Sequence, residues 1–176
     1  MTRYAETLRL LATLPAPQAF AGIQRERITV YSAEIGIPFP PSLLEWLIHA
    51  NGASVESQYL VGIDGTLPTD MPSLYTLHPN WKAAGLIPVA SDGCGNHYVI
   101  ATRQEYGKGC PVLFIDHERN ADIPDFLVAS DFSIFVSEFV RREANGSNGW
   151  PFDPQSTLRI DPNLASFSGA PLPWSN

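Results

Sequence analysis

Cysteine is scarce: the 176-residue chain has two, Cys94 and Cys110. A disulfide-stapled scaffold needs a denser set, and a chain of this length builds a core without staples, so both are expected to be free thiols. Charge is also sparse, at 16% of residues, and basic residues number 11 against 18 acidic ones, for a formal net charge of −7. With a pI near 4.9, this balance counts against nucleic acid, whose phosphates demand a basic surface. A basic protein partner suits it better, although an acidic balance also serves solubility alone. No apolar run approaches the roughly 18 residues of a membrane-spanning helix. The start, Met1-Thr-Arg-Tyr-Ala-Glu6, lacks the basic and then apolar pattern of a secretory signal, so a cytoplasmic protein without membrane contact is expected. G-x-S-x-G, H-E-x-x-H, paired C-x-x-C and the longer phosphate-loop fingerprints are absent as well, which removes the motif-based routes to hydrolase, zinc and nucleotide chemistry.

What is present describes a folded chain. Hydrophobic residues make up 44% and aromatics 11%, too many for disorder. The 16 prolines point to defined loops and short elements rather than long helices. Around residues 86–102 two β-rich runs, Leu86 to Ala90 and His97 to Thr102, flank a polar break with Gly93 and Gly95, the pattern of a β-hairpin. The run Pro111 to Asp116 adds a third strand, giving an antiparallel meander that must be covered by helices. Gln58 to Ile63 reads as a further strand, and Thr69 to Asn80 as a broken helical or loop segment.

Helices are expected over Tyr4 to Leu14, over Ile23 to Ile35 with the helical pattern running through Ile23, Arg27, Val30, Tyr31, Glu34 and Ile35, and from Pro41 to Ala50. The third of these is the most apolar, and Asn51-Gly52 reads as its left-handed cap. A last helix starts near Ser130-Asp131, ends near Arg141-Arg142 and carries Phe132, Phe135, Val136, Phe139 and Val140 on one stripe. Beyond it, the proline-rich tail holds Trp150, Phe152, Leu158, Ile160, Leu164, Phe167, Leu172 and Trp174. Exposing so many large apolar groups invites association, so the tail is expected to wrap around the domain. The expected class is therefore α+β: a mainly antiparallel β-meander sheet covered by N-terminal helices and a C-terminal helix. One domain over 1–176 is expected, with a core at about 23–144 and a packed extension at 145–176.

The order of pieces resembles the SUKH superfamily, which includes fungal cell-wall assembly regulators and bacterial toxin-immunity proteins. The matching pieces are Glu34-Ile-Gly-Ile-Pro38 before the Leu43 to Ala50 helix, Asn51-Gly52, Trp81, the Ile87 to Ile100 hairpin, Val112 to Glu118, and the helix around Phe132 to Phe139. The hairpin departs from the family in carrying Cys94 and Asn96 where glycine and aspartate are frequent. The resemblance implies helices on a mainly antiparallel sheet, no catalytic centre and no cofactor. It also implies binding to a protein partner, in the bacterial members a cognate toxin domain.

The residues themselves offer two candidate sites. Asp92, His97, Asp116, His117 and Glu118 lie at two hairpin ends and carry oxygen and nitrogen donors suited to a divalent ion, but their spacing matches no metal motif, and polar residues solvated at the surface are the favoured reading. Cys94, between glycines and near His97, lacks the helix N-terminus that activates a thiol. A metal- or thiol-dependent hydrolase is accordingly the third reading. The second candidate is acidic: Asp116, Glu118, Asp122, Asp125 and Asp131 fall around one loop and one helix start, interrupted by Arg119. On a shared face they steer a basic toxin domain without catalysis. The first reading is thus an immunity protein that occludes its toxin, and the second a regulatory scaffold module of the cytoplasm.

Overall fold

The computed structural model describes residues 3–14, 18–55, 58–64, 70–146 and 153–175. In chain order its elements are α1 (Ala5–Leu11), β1 (Gln18–Ala21), α2 (Arg25–Ile35), α3 (Pro41–His49), β2 (Ala50–Val55), β3 (Gln58–Leu60), α4 (Met71–Leu77), α5 (Pro79–Ala84), β4 (Leu86–Ser91), β5 (His97–Ala101), β6 (Val112–Ile115), α6 (His117–Asn120), β7 (Phe126–Ala129), α7 (Phe132–Ala144) and α8 (Pro154–Ile160). The seven strands form one sheet in simple sequence order, each antiparallel to its neighbours. The fold is the expected α+β meander under helices, and the three central strands are the middle of a longer run. No helix among the described residues is long and apolar enough to cross a membrane.

Sheet geometry decides which helices cover which face. Successive strand residues point to opposite sides. On β5, Tyr98 meets Phe135 of α7 at 4.9 Å, while the preceding His97 meets Trp81 of α5 at 5.3 Å. The centre of the sheet therefore carries helices on both faces, and β4, β5 and β6 are buried at every residue. An antiparallel sheet covered on both sides has no polar face to alternate with, hence the unbroken apolar runs in these strands.

On the α7 side, Trp46 of α3 is wholly buried, edge-on to Tyr4 at 5.3 Å and to Phe132 at 6.5 Å. Asp131 caps α7 by accepting the Ser133 N–H at 2.7 Å, as the polar-then-apolar sequence predicts. Asp70 does the same for α4 through the Ser73 N–H at 2.8 Å, and the expected broken segment is the pair α4 and α5.

Three local readings are corrected. Asn51-Gly52 does not cap a helix: α3 ends at His49 and the chain runs straight into β2, with Gly52 at φ +86° inside the strand. The Asn51 side chain instead accepts the Ile63 N–H at 2.8 Å, a tertiary bond that local spacing does not disclose. In α2 the buried residues are Ile28 and Tyr31, and Val30 is 49% exposed. Strands β1, β2 and β7 were not expected. Residues 153–175 pack on the core as a tail was expected to: Leu164 is wholly buried, and the Pro171 carbonyl accepts the Leu127 N–H of β7 at 2.9 Å. Trp150 and Phe152 lie outside the described residues. Cys94 is exposed, Cys110 is half-buried, and both are free thiols.

Candidate functional site

The acidic stretch after β6 is a closed loop built by its own carboxylates. Asp116 ends the strand and caps α6, accepting the Glu118 N–H at 2.9 Å. Asn120 Oδ1 accepts the Asp122 N–H at 3.0 Å, turning the chain toward Pro124. At the neck, Asp125 Oδ2 accepts the Asp116 N–H at 2.8 Å, and the Asp125 N–H donates to the Phe114 carbonyl at 2.8 Å. Small polar residues that bind their own backbone hold such a turn without a helix or strand.

Neighbouring elements fix the loop in place. Trp81 Nε1 donates to the Ala121 carbonyl at 2.8 Å, and Asn80 Nδ2 to Asp122 Oδ2 at 2.8 Å. From the β4–β5 turn, Asn96 Oδ1 accepts the His117 N–H at 3.1 Å and lies 2.8 Å from His117 Nδ1. That turn is organised by Asp92, whose Oδ1 accepts the N–H groups of Cys94 at 2.8 Å and Asn96 at 3.2 Å, and whose Oδ2 accepts Asn96 Nδ2 at 2.8 Å. Asn96 thus uses both its amide N–H and its amide oxygen, which a carboxylate at this position cannot do. Glycine is required at position 95: φ is +100°, and a Cβ there would stand 3.0 Å from the His117 ring.

Beneath the loop lies an aromatic layer. His78 stacks on Trp81 with 4.1 Å between ring centroids and 10° between planes, and His97 meets both edge-on. Burial pushes the His97 pKa down to about 4, helped by the neighbouring His78 and opposed by Asp92. Burial lowers His78 also, against Asp122. Both rings are neutral near pH 7 and serve as packing aromatics. Burial raises the Cys110 thiol, which disfavours a reactive thiolate there.

The five expected acidic residues are not all together. Asp116, Glu118, Asp122 and Asp125 share the loop, whereas Asp131 stands at the far end of β7, where its carboxylate binds Ser133 and, at 3.0 Å, the Ser42 hydroxyl. Glu118 is exposed, while Asp125 is largely covered and paired with Arg119 at 3.0 Å. Of the Asp92, His97, Asp116, His117 and Glu118 set, His97 is turned into the aromatic layer and Asp92 and Asp116 are engaged with backbone. Among the described residues no three His, Cys, Asp or Glu side chains converge to hold a metal ion.

Sequence reasoning missed the apolar part of this surface. Ile123 is 59% exposed and Leu77 is 69% exposed. Ile123 directly follows Asp122, and Leu77 is the last residue of α4, three positions before Asn80 in the chain. The signal in the sequence is a lone isoleucine between Asp122 and Pro124 in a polar loop.

No curated protein matches the chain. A family model described as SMI1 / KNR4 family (SUKH-1) matches residues 22–138, from the end of β1 to the middle of α7. This span takes in the hairpin turn, the aromatic layer and the whole acidic loop. The match covers about two thirds of the sequence, and the chain belongs to the SMI1 / KNR4 family (SUKH-1).

Proposed function

We propose that the chain is an immunity protein, acting in the cytoplasm by binding and occluding a cognate toxin domain. Family membership supports a protein-interaction domain, and the finer reading rests on one observation: the Asp116–Asp125 loop is closed by its own hydrogen bonds and pinned to α5 and the hairpin turn, yet leaves Glu118 and Ile123 on the surface. Such preorganisation lowers the ordering cost of association. Four carboxylates against one guanidinium on the loop suit a basic partner, and the interaction transforms no substrate.

The test is co-expression with the toxin domain encoded beside the gene. The chain is expected to restore growth, and Glu118→Lys, on an exposed side chain, to reduce protection and weaken binding about tenfold by reversing a rim charge. Growth that is equally poor with and without the chain overturns the toxin reading.

A further inference from the structure

A groove of about 350 Å³ runs between the acidic loop and the tail, lined by Arg119, Ile123, Asp125 and Phe126 on one side and Pro171 and Leu172 on the other. Each wall is held independently. Phe126 stacks on Phe114 with 4.9 Å between centroids and 14° between planes. Asp125 is fixed by the Asp116 N–H and the Phe114 carbonyl, and Pro171 by the Leu127 N–H. A trough whose lining is half apolar and half polar, with a carboxylate in its wall, is complementary to a side chain with an aliphatic stem and a cationic head. The net charge of −7 and the excess of carboxylates on the loop favour the same occupant.

The carboxylate already has a cation on it. Arg119 Nη1 lies 3.0 Å from Asp125 Oδ1, with the arginine side chain 71% exposed and the aspartate side chain 10% exposed. An ion pair with one partner this exposed contributes little to stability, because water solvates the released guanidinium almost as well. Asp125, by contrast, is not free to leave, since its other oxygen closes the neck of the loop. A competing cation therefore displaces Arg119 and finds the carboxylate in place.

Resting on the proposed function, the geometry points to this groove as the anchor pocket for an arginine or lysine side chain of the protein partner. The partner's cation replaces Arg119 at Asp125, and its stem lies on Ile123, Phe126 and Leu172. Arg119 is a placeholder that keeps the carboxylate paired in the unbound protein.

The test is an NMR titration of the ¹⁵N-labelled full chain with acetyl-Gly-Arg-Leu-Gly-amide and with its Glu counterpart. The arginine peptide alone is expected to give saturable shifts at the amides of Ile123, Asp125 and Leu172. Binding is expected to be about two- to fivefold tighter in Arg119→Ala, where the competitor is gone, and severalfold weaker in Ile123→Ala. Both side chains are exposed, so both variants fold. Equal responses to the two peptides, shifts scattered over all acidic residues, no saturation in the millimolar range, or an unchanged Arg119→Ala overturn the assignment. A toxin neutralised equally well by wild type and by both variants overturns the groove and leaves the immunity reading standing. Saturable peptide binding by a chain that gives no protection does the reverse.

Discussion

His97 is a histidine used as an uncharged aromatic, and that use makes stability depend on pH. Its pKa is about 4 in the fold, against an ordinary value near 6.5 in the unfolded chain. Between these values the unfolded chain binds a proton that the folded chain refuses, so stability is complete above pH 6.5 and falls as pH drops toward 4. From pH 7 to pH 5 the expected loss from this residue is on the order of 2 kcal/mol. Urea midpoints at the two pH values check this. His97→Phe keeps a flat ring against Trp81 and is expected to flatten the dependence by about that amount; an equal loss in the variant refutes the assignment. Tyr31 argues in the other direction. Its hydroxyl is buried without a hydrogen-bond partner among the described residues, while its ring packs on Phe39 at 6.2 Å. Tyr31→Phe is therefore expected to be neutral or stabilising by up to about 1 kcal/mol, and a clear loss of thermal stability contradicts that.

At the scale of elements, β7 is the last strand of the sheet, and an open edge recruits other chains. The tail covers it. The Leu127 N–H donates to the Pro171 carbonyl, and the wholly buried Asp161 accepts the Ser130 N–H at 2.5 Å and the Ser130 hydroxyl at 2.7 Å. Asp161→Ala leaves that N–H without its acceptor and is expected to cost about 2–3 kcal/mol in urea unfolding, with faster amide exchange at Leu127. A variant that matches wild type in both has a tail that does not guard the edge. These elements also show what the sequence discloses. The hairpin, the α7 stripe and its Asp131 cap are legible because periodicity and capping are local. β2 is not, because Ala50-Asn-Gly-Ala-Ser-Val55 is built of small residues and its Asn-Gly, a local turn signal, serves a tertiary bond to Ile63. β7 is as short as β6, but it follows the polar Asp122-Ile-Pro-Asp125 stretch rather than a Gly107–Gly109 turn, so no reversal signal marks it. For the site, the carboxylates were legible as a group, but their division was not: strand β7, unseen in the sequence, carries Asp131 away from the other four. Arg119 and the groove depend on a tail placed against a distant loop, which spacing along the chain does not encode.

For the whole molecule, the decisive quantity is the field of 18 carboxylates against 11 basic side chains. A field of this sign raises the encounter rate with a basic partner and lowers it with an acidic one, over distances set by the screening length of about 10 Å at 0.1 M salt. The contacts that hold the complex act at shorter range. Apolar contacts made through Ile123 in the proposed complex are screened little by salt, so the two effects separate kinetically. If the proposed function holds, raising salt from 0.05 to 0.5 M is expected to slow association with the proposed toxin partner about tenfold while changing dissociation by less than about twofold. Glu118→Lys, which removes one negative charge and adds a positive one at the exposed rim, is expected to lower the association rate and make it less sensitive to salt. Ile123→Ala is expected to raise the dissociation rate and leave the salt slope intact. Stopped-flow mixing across the salt series reads both rates. An association rate indifferent to salt assigns recognition to the apolar contacts alone, and leaves the acidic rim as a device for solubility.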